Sequence, residues 1–525
     1  MFLDADGLYH LYYQCKPQLM TCSKSDAQLI GIPDNPNATT PGNQHWGHAT
    51  SRDLYTWENQ PIAIYPLFEG AGMFSGSCVI DSENTSGFFP NQRNGVVAMY
   101  TLHTASEERQ HIAFSTDGGY TFTEYDANPV LSIGNRDFRD PKVLWHAPTK
   151  SWVAVIAHPL AMLIGIYTSP DLLNWTHVSN FAGHGLDGVY ECPNLVAIPM
   201  LNEYSVPNPF EPSNFALDES MYVMIVSINP GGPLGGSITQ YFPGHFNGTH
   251  FEAVDGAARL TDFAKDSYAV QFFHGIPSTS AQIGIAWASN WQYAGEVPTG
   301  ELEGFRSVMS LPRYQALANT TAGPYRLLSY PVGLEALHTT SEPLARSPDL
   351  FGSSLVYKYD QSVPSRAITF SIDFAGIPSE GGWGWAEFTV RSSTTGDSIR
   401  GGFYLASEPT FWIDRGNSRG FKQKFFTTDF STYIKVQESG ILRVLGVIDR
   451  SIMELFLDNG AKVATVVFYP ESMLDTIEIS MTDINTDLPE NLTADVEVWG
   501  LKSSWDTDSW ADGVGTMYVD DDMQE

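Results

Sequence analysis

The sequence predicts an all-β protein in which a β-propeller is followed by a C-terminal β-sandwich. Turns rich in Gly, Pro, Asn and Asp separate short strands of alternating polarity, and helical periods are few. A polar turn that ends in an aromatic residue recurs through the first 330 residues. Beyond about residue 350 this recurrence stops and a series of alternating strands replaces it. These three observations favour two successive β architectures in one chain.

The recurring turn is the main indication of a propeller. Its copies are residues 51–57, 115–122 and 169–175, and residues 246–251 form a weaker copy. Each copy follows a short apolar strand, and a spacing of roughly 50–75 residues leaves room for one four-stranded sheet per copy. Asp-Gly hairpins occur in β proteins of every kind. The shared Ser-x-Asp frame that ends in an aromatic residue nevertheless favours a propeller.

The domain boundaries follow from this change of pattern. The propeller is predicted over residues 1–330 and the sandwich over residues 351–505. Residues 331–350 are predicted to be a linker, compatible with a short helix, and residues 506–525 an acidic tail. An Asn459-Gly460 turn closes one sandwich hairpin, because Asn-Gly supplies the positive φ angles of a tight turn. The predicted sandwich strands are residues 367–374, 385–391, 402–406, 441–448, 452–457, 464–469 and 477–481.

The composition limits the possible partners. The 525 residues carry 60 acidic and 28 basic side chains, and the formal net charge of −32 repels nucleic acid and anionic membranes. The most apolar run, residues 152–167, is too short to cross a bilayer and is interrupted by a proline. Aromatic residues make up 13% of the chain and provide flat faces for sugar rings. A neutral small substrate is therefore expected, with neither a nucleic-acid nor a membrane partner.

Features of a secreted glycoprotein are present without an export signal. The residues after Met1 lack the charged and apolar regions of a signal peptide, so an incomplete N-terminus and an extracellular location are expected. Six N-x-Ser/Thr triplets point the same way: Asn37, Asn84, Asn174, Asn247, Asn319 and Asn491. The four cysteines, whose spacing fits no zinc site, are Cys15, Cys22, Cys78 and Cys192. Cys192 is expected to pack as a small hydrophobic residue.

Two carboxylates stand directly before stiff, proline-containing steps, and they are the candidate catalytic residues. Asp140 precedes Pro141, and Glu191 precedes a Cys-Pro step. Proline fixes its own φ and restricts the residue before it, so each segment has a stiff backbone at the edge of an apolar run. Arg139 is expected to keep Asp140 ionised, whereas the setting of Glu191 suits a protonated acid. Either motif alone is usually structural. The pair favours acid/base work on a glycosidic bond.

A series of further motifs resembles glycoside hydrolase family 32, the group of invertases, inulinases and fructosyltransferases, and is most similar to the secreted fungal invertases. The resemblance runs nearly from end to end of the chain. Its motifs are residues 10–14 (His-Leu-Tyr-Tyr-Gln), 46–49 (Trp-Gly-His-Ala), 74–77 (Phe-Ser-Gly-Ser), 138–142 (Phe-Arg-Asp-Pro-Lys), 190–193 (Tyr-Glu-Cys-Pro), 227–231 (Ser-Ile-Asn-Pro-Gly), 262–266 (Asp-Phe-Ala-Lys-Asp), 287–291 (Trp-Ala-Ser-Asn-Trp), 411–416 (Phe-Trp-Ile-Asp-Arg-Gly) and 447–451 (Val-Ile-Asp-Arg-Ser).

The resemblance implies a five-bladed propeller with a C-terminal sandwich and retaining cleavage of β-D-fructofuranosides such as sucrose or short fructans. It implies that Glu191 is the general acid/base and that Asp140, assisted by Arg139, stabilises the transition state. No metal or cofactor is implied, and a homo-oligomer is possible. The residues implied to line the fructose pocket are Gln14, Phe74, Ser75 and Trp291, with Trp46 as an apolar wall. Without the resemblance, the two tryptophans are equally compatible with a propeller core.

The sequence departs from the family pattern at its start. Family members open with Asn-Asp-Pro-Asn-Gly, whose Asp is the nucleophile, and the spacing back from Gln14 places this motif ahead of Met1. Asp4 and Asp6 match the loop that follows the motif, and neither stands in an Asn-x-Pro setting. We therefore expect a truncated first strand and strongly impaired turnover, because removal of a covalent nucleophile lowers the rate by orders of magnitude.

Three other functions remain open at this point. The chain is alternatively a fructoside-binding homologue without a nucleophile and without turnover. The intact Arg139, Asp140 and Glu191 weigh mildly against this, since a binding protein need not keep its acid. A fructosyltransferase that makes fructooligosaccharides differs from a hydrolase in how its acceptor subsites exclude water. A five-bladed arabinan-active relative is disfavoured by the Trp291 motif and the predicted sandwich.

Overall fold

The all-β prediction is confirmed by a computed structural model of the chain, which describes residues 1–15, 43–206, 208–299, 307–359, 362–485 and 487–503. Thirty-five strands, β1 to β35, are present in these residues, with four short 3₁₀ turns. The predicted acidic tail, the triplet at Asn37 and Cys22 lie outside the described residues. In the part of the chain that is described, no helix is long and apolar enough to span a membrane.

Three separate antiparallel sheets come first in the chain. The first contains β1 (Phe2–Leu3), β2 (Tyr9–Cys15), β3 (His45–Ser51) and β4 (Glu58–Ile64). The second contains β5 (Gly72–Ile80), β6 (Val96–His103), β7 (Glu108–Ser115), β8 (Thr123–Glu124) and β9 (Leu131–Asn135). The third contains β10 (Arg139–His146), β11 (Ser151–His158), β12 (Leu163–Ser169) and β13 (Thr176–Ala182).

A ten-stranded sheet follows, made of two groups that are joined by the parallel pairing of Met200 with Leu317. The first group contains β14 (Tyr190–Leu201), β15 (Phe215–Ile228), β16 (Ile238–Phe246), β17 (Phe251–Ala253) and β18 (Arg259–Leu260). The second contains β19 (Tyr268–Phe272), β20 (Gln282–Ala288), β21 (Val308–Met309), β22 (Arg313–Thr320) and β23 (Gly323–Pro331). The first 331 residues thus form five groups of about four strands.

The leading strands of these groups are tied to one another. Ser77 on β5 donates to the carbonyl of Pro141 on β10 and accepts from the amide of Val143, two residues further along β10. On β14, the Asn194 side chain donates to a carbonyl of β19, that of Val270. Lys142 on β10, itself buried, donates to the carbonyl of Phe272. The residues just before each of these contacts are therefore brought towards a common centre.

The recurring turn has one geometry in its three strong copies. Its serine hydroxyl donates to the aspartate at 3.0 Å for Ser51, 2.6 Å for Ser115 and 3.0 Å for Ser169. The aspartate then accepts hydrogen bonds from backbone amides two to four residues further on. In two copies the closing tryptophan donates back into the turn, to the carbonyls of Leu54 and Leu172. The repeated sequence frame is thus a repeated hydrogen-bonded turn.

The C-terminal region consists of two six-stranded antiparallel sheets. One contains β24 (Ala345–Ser347), β35 (Thr493–Gly500), β26 (Ala367–Ala375), β31 (Leu442–Asp449), β32 (Ile452–Leu457) and β33 (Lys462–Val467). The other contains β25 (Ser354–Lys358), β34 (Thr476–Thr482), β27 (Gly382–Arg391), β28 (Ser398–Ala406), β29 (Thr410–Asp414) and β30 (Asp429–Tyr433). Alternate residues of both sheets share one buried core, so the sheets pack face to face. The Asn459-Gly460 turn joins β32 to β33, as expected.

The predicted linker differs from the structure in two respects. Its helix is only a 3₁₀ turn over Leu334–Leu337, and the other 3₁₀ turns are Ala147–Thr149, Pro159–Ala161 and Pro212–Asn214. The segment after that turn contains Pro343, which cannot donate to a continuing helix. β24 then begins inside residues 331–350, because its pairing with β35 outweighs the weak local signal.

Candidate active site

The candidate site lies where four leading strands are interrupted by bulges. The register shifts between Met73 and Gly76 on β5, between Arg139 and Lys142 on β10, between Glu191 and Asn194 on β14, and between Tyr268 and Gln271 on β19. Within three of these interruptions a non-glycine residue has positive φ: 64° at Asp140, 47° at Cys192 and 53° at Ala269. Bulges re-aim side chains. Here they occur at corresponding points of neighbouring strands and direct the polar side chains together.

Arg139 contacts one of the two candidate acids, Glu191, and directly precedes the other in the chain. Its Nη2 donates to Oε1 of Glu191 at 2.8 Å, and both side chains are largely buried, with 15% and 20% of their surface exposed. Its other terminal nitrogen, Nη1, lies 3.3 Å from Oε2 of Glu108. Burial alone lowers the pKa of Arg139, but Asp140, Glu191 and Glu108 outweigh it and raise the pKa above its usual value. The guanidinium is therefore a permanent cation between three carboxyl groups.

Asp140 is buried and is held by backbone groups. The amide of Cys192 donates to its Oδ2 at 2.9 Å, and the Cys192 thiol donates to the same oxygen at 3.6 Å. Burial raises the pKa of Asp140 to about 6; Arg139 opposes this rise and Glu191 adds to it. The expectation that Arg139 keeps Asp140 ionised is thus only partly met, because desolvation outweighs the nearby cation. Cys192 is more than a packing residue, since its amide and thiol both contact the carboxylate.

Tyr268 was not identified from the sequence, yet it contacts Glu191 directly. Its hydroxyl donates a short hydrogen bond to Oε2 of Glu191, and the ring is buried on β19. Burial and the charge of Glu191 raise the pKa of Tyr268 well above its usual value, so the hydroxyl remains a donor. Glu191 therefore has one oxygen on a guanidinium and the other on a phenol. Tyr268 lies two residues beyond the motif of residues 262–266, but no local sequence feature identifies Glu191 as its partner.

Glu108 is a second residue that sequence reasoning missed. It is buried at the start of β7, accepts from the amide of Phe138 at 3.0 Å and contacts Arg139. Its other oxygen lies 3.2 Å from Nδ1 of His103. The His103 ring stacks on Phe74 with centroids 4.3 Å apart and an interplanar angle of 2°. We call Arg139 with its partners Glu191 and Glu108 the arginine clamp. Through His103, Glu108 connects this clamp to Phe74, a predicted pocket residue.

The predicted binding residues of the first two sheets occupy different depths. Gln14 is half-buried and donates from Nε2 to the carbonyl of Met73, 3.0 Å away. Phe74 and Ser75 lie within the β5 bulge and are half-buried. Trp46 is only 4% exposed and packs in the core of the first two sheets, while its Nε1 donates to the carbonyl of Phe74. Its position is behind Phe74, as in the core interpretation, and it supports the bulge.

Trp291 is the most exposed of the predicted binding residues. It is 39% exposed, and its amide donates to the hydroxyl of Ser237 at 3.1 Å. Its ring lies 5.0 Å from that of Trp287, which in turn lies 6.1 Å from the ring of Tyr268. An unbroken series of aromatic contacts thus runs from the exposed Trp291 to the tyrosine that holds Glu191.

Asp4 has a local role in the structure. Its Oδ1 accepts from the amides of Asp6 and Leu8 at 2.9 and 2.7 Å, which closes the turn between β1 and β2. Its Oδ2 lies 3.6 Å from Nε2 of the buried His10. These contacts account for Asp4 without any role at the candidate site.

Comparisons with known proteins agree with this geometry. The N-terminal domain of glycosyl hydrolases family 32 matches residues 34–331, and the C-terminal part of that family matches residues 340–500. An extracellular exo-inulinase of Meyerozyma guilliermondii is 41% identical over 492 residues, covering 89% of this chain and 86% of the relative. Invertase 2 of Saccharomyces cerevisiae is 37% identical over 507 residues, covering 89% and 85%.

A solved structure is similar along nearly the whole chain. The β-fructofuranosidase from Schwanniomyces occidentalis complexed with fructosyl-erythritol matches with a TM-score of 0.80 at 32% identity, over 96% of this chain and 94% of that chain. Together with the two family models and the enzyme relatives, this similarity defines the class of the protein as a glycoside hydrolase. The chain belongs to glycosyl hydrolase family 32, which confirms the resemblance seen in the sequence.

Proposed function

We propose that this glycosidase cleaves terminal β-D-fructofuranosides, with sucrose and short fructans as substrates, and retains the configuration of the fructosyl carbon. The observation that carries the proposal is the contact of Arg139 with Glu191 beside the buried Asp140. Support for the substrate class comes from the exo-inulinase and invertase relatives. Retaining cleavage uses one carboxyl group to protonate the leaving oxygen and another to attack carbon.

Glu191 is assigned as the general acid/base. Tyr268 and Arg139 each hold one of its oxygens, so the carboxyl group is fixed in orientation before substrate arrives. It protonates the departing oxygen in the first step and removes a proton from water in the second. Trp291 is assigned to one face of the sugar ring. Gln14, Phe74 and Ser75 are assigned to the opposite wall.

Asp140 is assigned as the group that orients the fructosyl hydroxyls and stabilises the transition state. Because burial raises its pKa to about 6, the carboxylate predominates only above that pH. Activity that requires its charge is then lost as the pH falls through about 6. We assign no residue of the chain to nucleophilic attack. A binding protein without turnover is therefore one competing function. A fructosyltransferase, which needs the same attacking carboxyl group but passes the fructosyl unit to a sugar instead of to water, is the other.

The fold that we propose around this site is a five-bladed propeller followed by a sandwich. Support comes from the five groups of strands and from contacts between the first and fifth groups: Phe2 bridges in parallel to His274, and the Leu3 amide donates to the same residue. Support for secretion comes from the extracellular exo-inulinase relative. The possibility of a homo-oligomer stays a prediction.

The experiment is sucrose hydrolysis by the parent chain and by the Glu191→Gln variant. Loss of general acid/base catalysis lowers kcat by roughly 10²–10⁴-fold. A fructoside with a nitrophenolate leaving group needs little protonation, so its first step should lose much less. Glu83→Gln, which changes an exposed carboxylate, is the matched control and should turn over normally.

Each outcome separates one competing function. Equal losses of kcat/KM, which reports the first step, on sucrose and on the nitrophenyl fructoside would contradict the acid assignment. Calorimetric binding of sucrose without any turnover by the parent chain would favour the binding homologue. Fructooligosaccharide products at high sucrose concentration, analysed by chromatography, would identify a transferase.

A further inference from the structure

We propose that the solvent-facing side of the sheet β25-β34-β27-β28-β29-β30 is a second carbohydrate-binding surface, which takes a neutral oligosaccharide or polysaccharide chain. The inner side of this sheet belongs to the core of the C-terminal region. Its outer side carries side chains that the proposed reaction does not use. The inference therefore stands independently of the catalytic roles assigned above.

Four aromatic side chains share this outer face, and we call them the aromatic row. Trp385 and Tyr404 are paired across β27 and β28, are 38% and 41% exposed, and their rings meet edge to face at 5.4 Å. Tyr433 on β30, 52% exposed, is paired with Thr410 of the strand next to β28. Trp412 lies beside them on β29, opposite Gly402. Neighbouring strands are about 4.8 Å apart, so the row extends over roughly 14 Å, the length of a short oligosaccharide.

Gly402 lies in the middle of the row. An added Cβ at this glycine would lie 2.4 Å from the carbonyl oxygen of Ala386, so no larger residue fits there without moving the backbone. Trp412 and Glu387 are its partners on the two sides. The glycine thus allows close approach of β27 and places a ring on one side and a carboxylate on the other. A sugar ring can rest on the aromatic face while its hydroxyls reach the carboxylate.

Polar side chains line the same face next to the row. Arg400 forms two hydrogen bonds to Asp414, at 3.0 and 2.8 Å, and its guanidinium lies 5.7 Å from the centre of the Trp412 ring. Thr410 and Ser431 are exposed and add hydroxyl groups. Exposed aromatic rings with fixed donors and acceptors beside them suit a ligand that has both apolar ring faces and many hydroxyls.

Charge decides between this ligand and the other occupants of an exposed aromatic face. The net charge of −32 disfavours an anionic membrane and nucleic acid, each of which brings further negative charge, and a second copy of the chain on this face is tested by sedimentation below. On the face itself the Arg400 cation is neutralised by Asp414. An uncharged polyhydroxylated chain is not repelled by the negative charge of the protein, and it is therefore the ligand that we propose.

The test is native affinity electrophoresis of the full chain in gels that contain inulin, a soluble β-glucan or a galactomannan. Retardation by one or more of these is expected. The Trp385→Ala/Tyr404→Ala double variant should weaken the apparent dissociation constant roughly tenfold, because two exposed rings are lost. Val356→Ala is the control: it removes an exposed side chain of the same sheet outside the row. Circular dichroism and Tm show whether each variant is folded, and Tyr433→Ala provides a milder second variant.

The three gels also separate the source of the chain. Retardation by inulin alone indicates a face for the proposed substrate polymer, and retardation by the other two indicates a structural polysaccharide. The proposal is overturned if none retards the parent chain, or if the double variant is retarded as strongly as Val356→Ala. It is also overturned if sedimentation velocity shows a parent dimer that the double variant abolishes, since the face then binds a second copy. None of these results depends on turnover of sucrose.

Discussion

At the scale of single residues, the arginine clamp depends on Glu108, which touches neither of the predicted acids. Glu108 holds Arg139 from the side opposite Glu191 and also accepts from the amide of Phe138. Burial raises the pKa of Glu108, but its contacts with His103 and Arg139 outweigh burial, and the net pKa is lowered. A buried, ionised carboxylate at this place keeps the guanidinium aimed at Glu191. Glu108 is therefore a positioning residue.

We predict that Glu108→Gln lowers kcat for sucrose roughly tenfold or more and changes KM less. A charged hydrogen bond to Arg139 is lost, at a cost of about 1.5–3 kcal/mol. The negative charge of Glu108 also raises the pKa of Asp140. Its removal lowers that pKa, so the acidic limb of the pH–rate profile should move to lower pH. The measurement is kcat and KM across pH 4–8.

The neighbouring Glu107→Gln is the control, because Glu107 pairs with Arg109 at 2.8 Å rather than with the clamp. A merely structural role for Glu108 would lower Tm and leave the acidic limb in place. An unchanged profile in a folded Glu108→Gln protein would contradict the positioning role.

The sequence reveals only part of this site. Asp140 and Glu191 stand in recognisable motifs before proline-containing steps. Glu108 and Tyr268 have no such motif, because their partners lie in other groups of strands, 31 and 77 residues away in the chain. The bulges that bring them together are backbone features with positive φ at non-glycine residues, and nothing in residue type announces them. The raised pKa of Asp140 is not predicted by the sequence for a related reason. The neighbouring Arg139 indicates a nearby positive charge, but the sequence does not show how deeply the carboxyl group is buried.

At the scale of elements, the repeated turn links one strand to the next with a network of half-buried and exposed hydrogen bonds. Asp171 accepts from the amides of Leu173 and Asn174, from the side chain of Asn174 and from Ser169. Burial raises its pKa, but these hydrogen bonds outweigh burial and lower it. A carboxylate with a lowered pKa stabilises the fold above its unfolded pKa of about 4, and this stabilisation is lost as the pH falls through the folded pKa.

We predict that Asp171→Ala lowers the free energy of unfolding by about 1–2 kcal/mol at pH 7, as loss of a capping carboxylate does elsewhere. The difference from the parent should begin to narrow below about pH 4, where the carboxylate becomes protonated in the unfolded state, and should narrow further as the pH approaches the lowered pKa of the folded state. Urea denaturation at pH 7 and pH 3.5 measures both effects. Asp126→Ala, at an exposed position, is the control. If the difference in the free energy of unfolding is the same at both pH values, packing and not the charge of Asp171 stabilises the turn.

Elements whose turns have a recognisable local sequence could be predicted, whereas the structure of residues 331–350 could not. The Ser-x-Asp frame and the Asn459-Gly460 hairpin have local chemistry that selects one backbone conformation, and both appear in the structure. Residues 331–350 have no comparable signal. Their helix-like composition yields to the pairing of β24 with β35, which is 149 residues away at the Arg346–Asp495 contact.

At the scale of the whole molecule, the N-terminal and C-terminal regions are joined by a buried ion pair. The Nη1 of Arg415 lies 2.6 Å from Oδ2 of Asp266, and both side chains are fully buried. Arg415 also donates to the carbonyls of Thr427 and Val467, and its guanidinium lies 3.6 Å from the centre of the Phe426 ring. Because Asp266 precedes β19, which carries Tyr268, this contact fixes the C-terminal region against a strand of the active site.

We predict that Arg415→Met strongly destabilises the protein, because it leaves Asp266 buried without its cation. Breaking one side of a buried pair costs about 3–5 kcal/mol. The loss falls on the contact between the two regions, so scanning calorimetry should show the single parent transition replaced by two. Arg346→Met is the control, because Arg346 is 53% exposed and pairs with Asp495 within the C-terminal region. Exposed ion pairs contribute little because water screens them, and the Tm of this variant should hardly change. If the double variant Arg415→Met/Asp266→Asn regains a single transition, the unpaired charge is the cause. If it stays split, loss of the hydrogen bonds that Arg415 makes within the C-terminal region, to the carbonyls of Thr427 and Val467, is the cause instead.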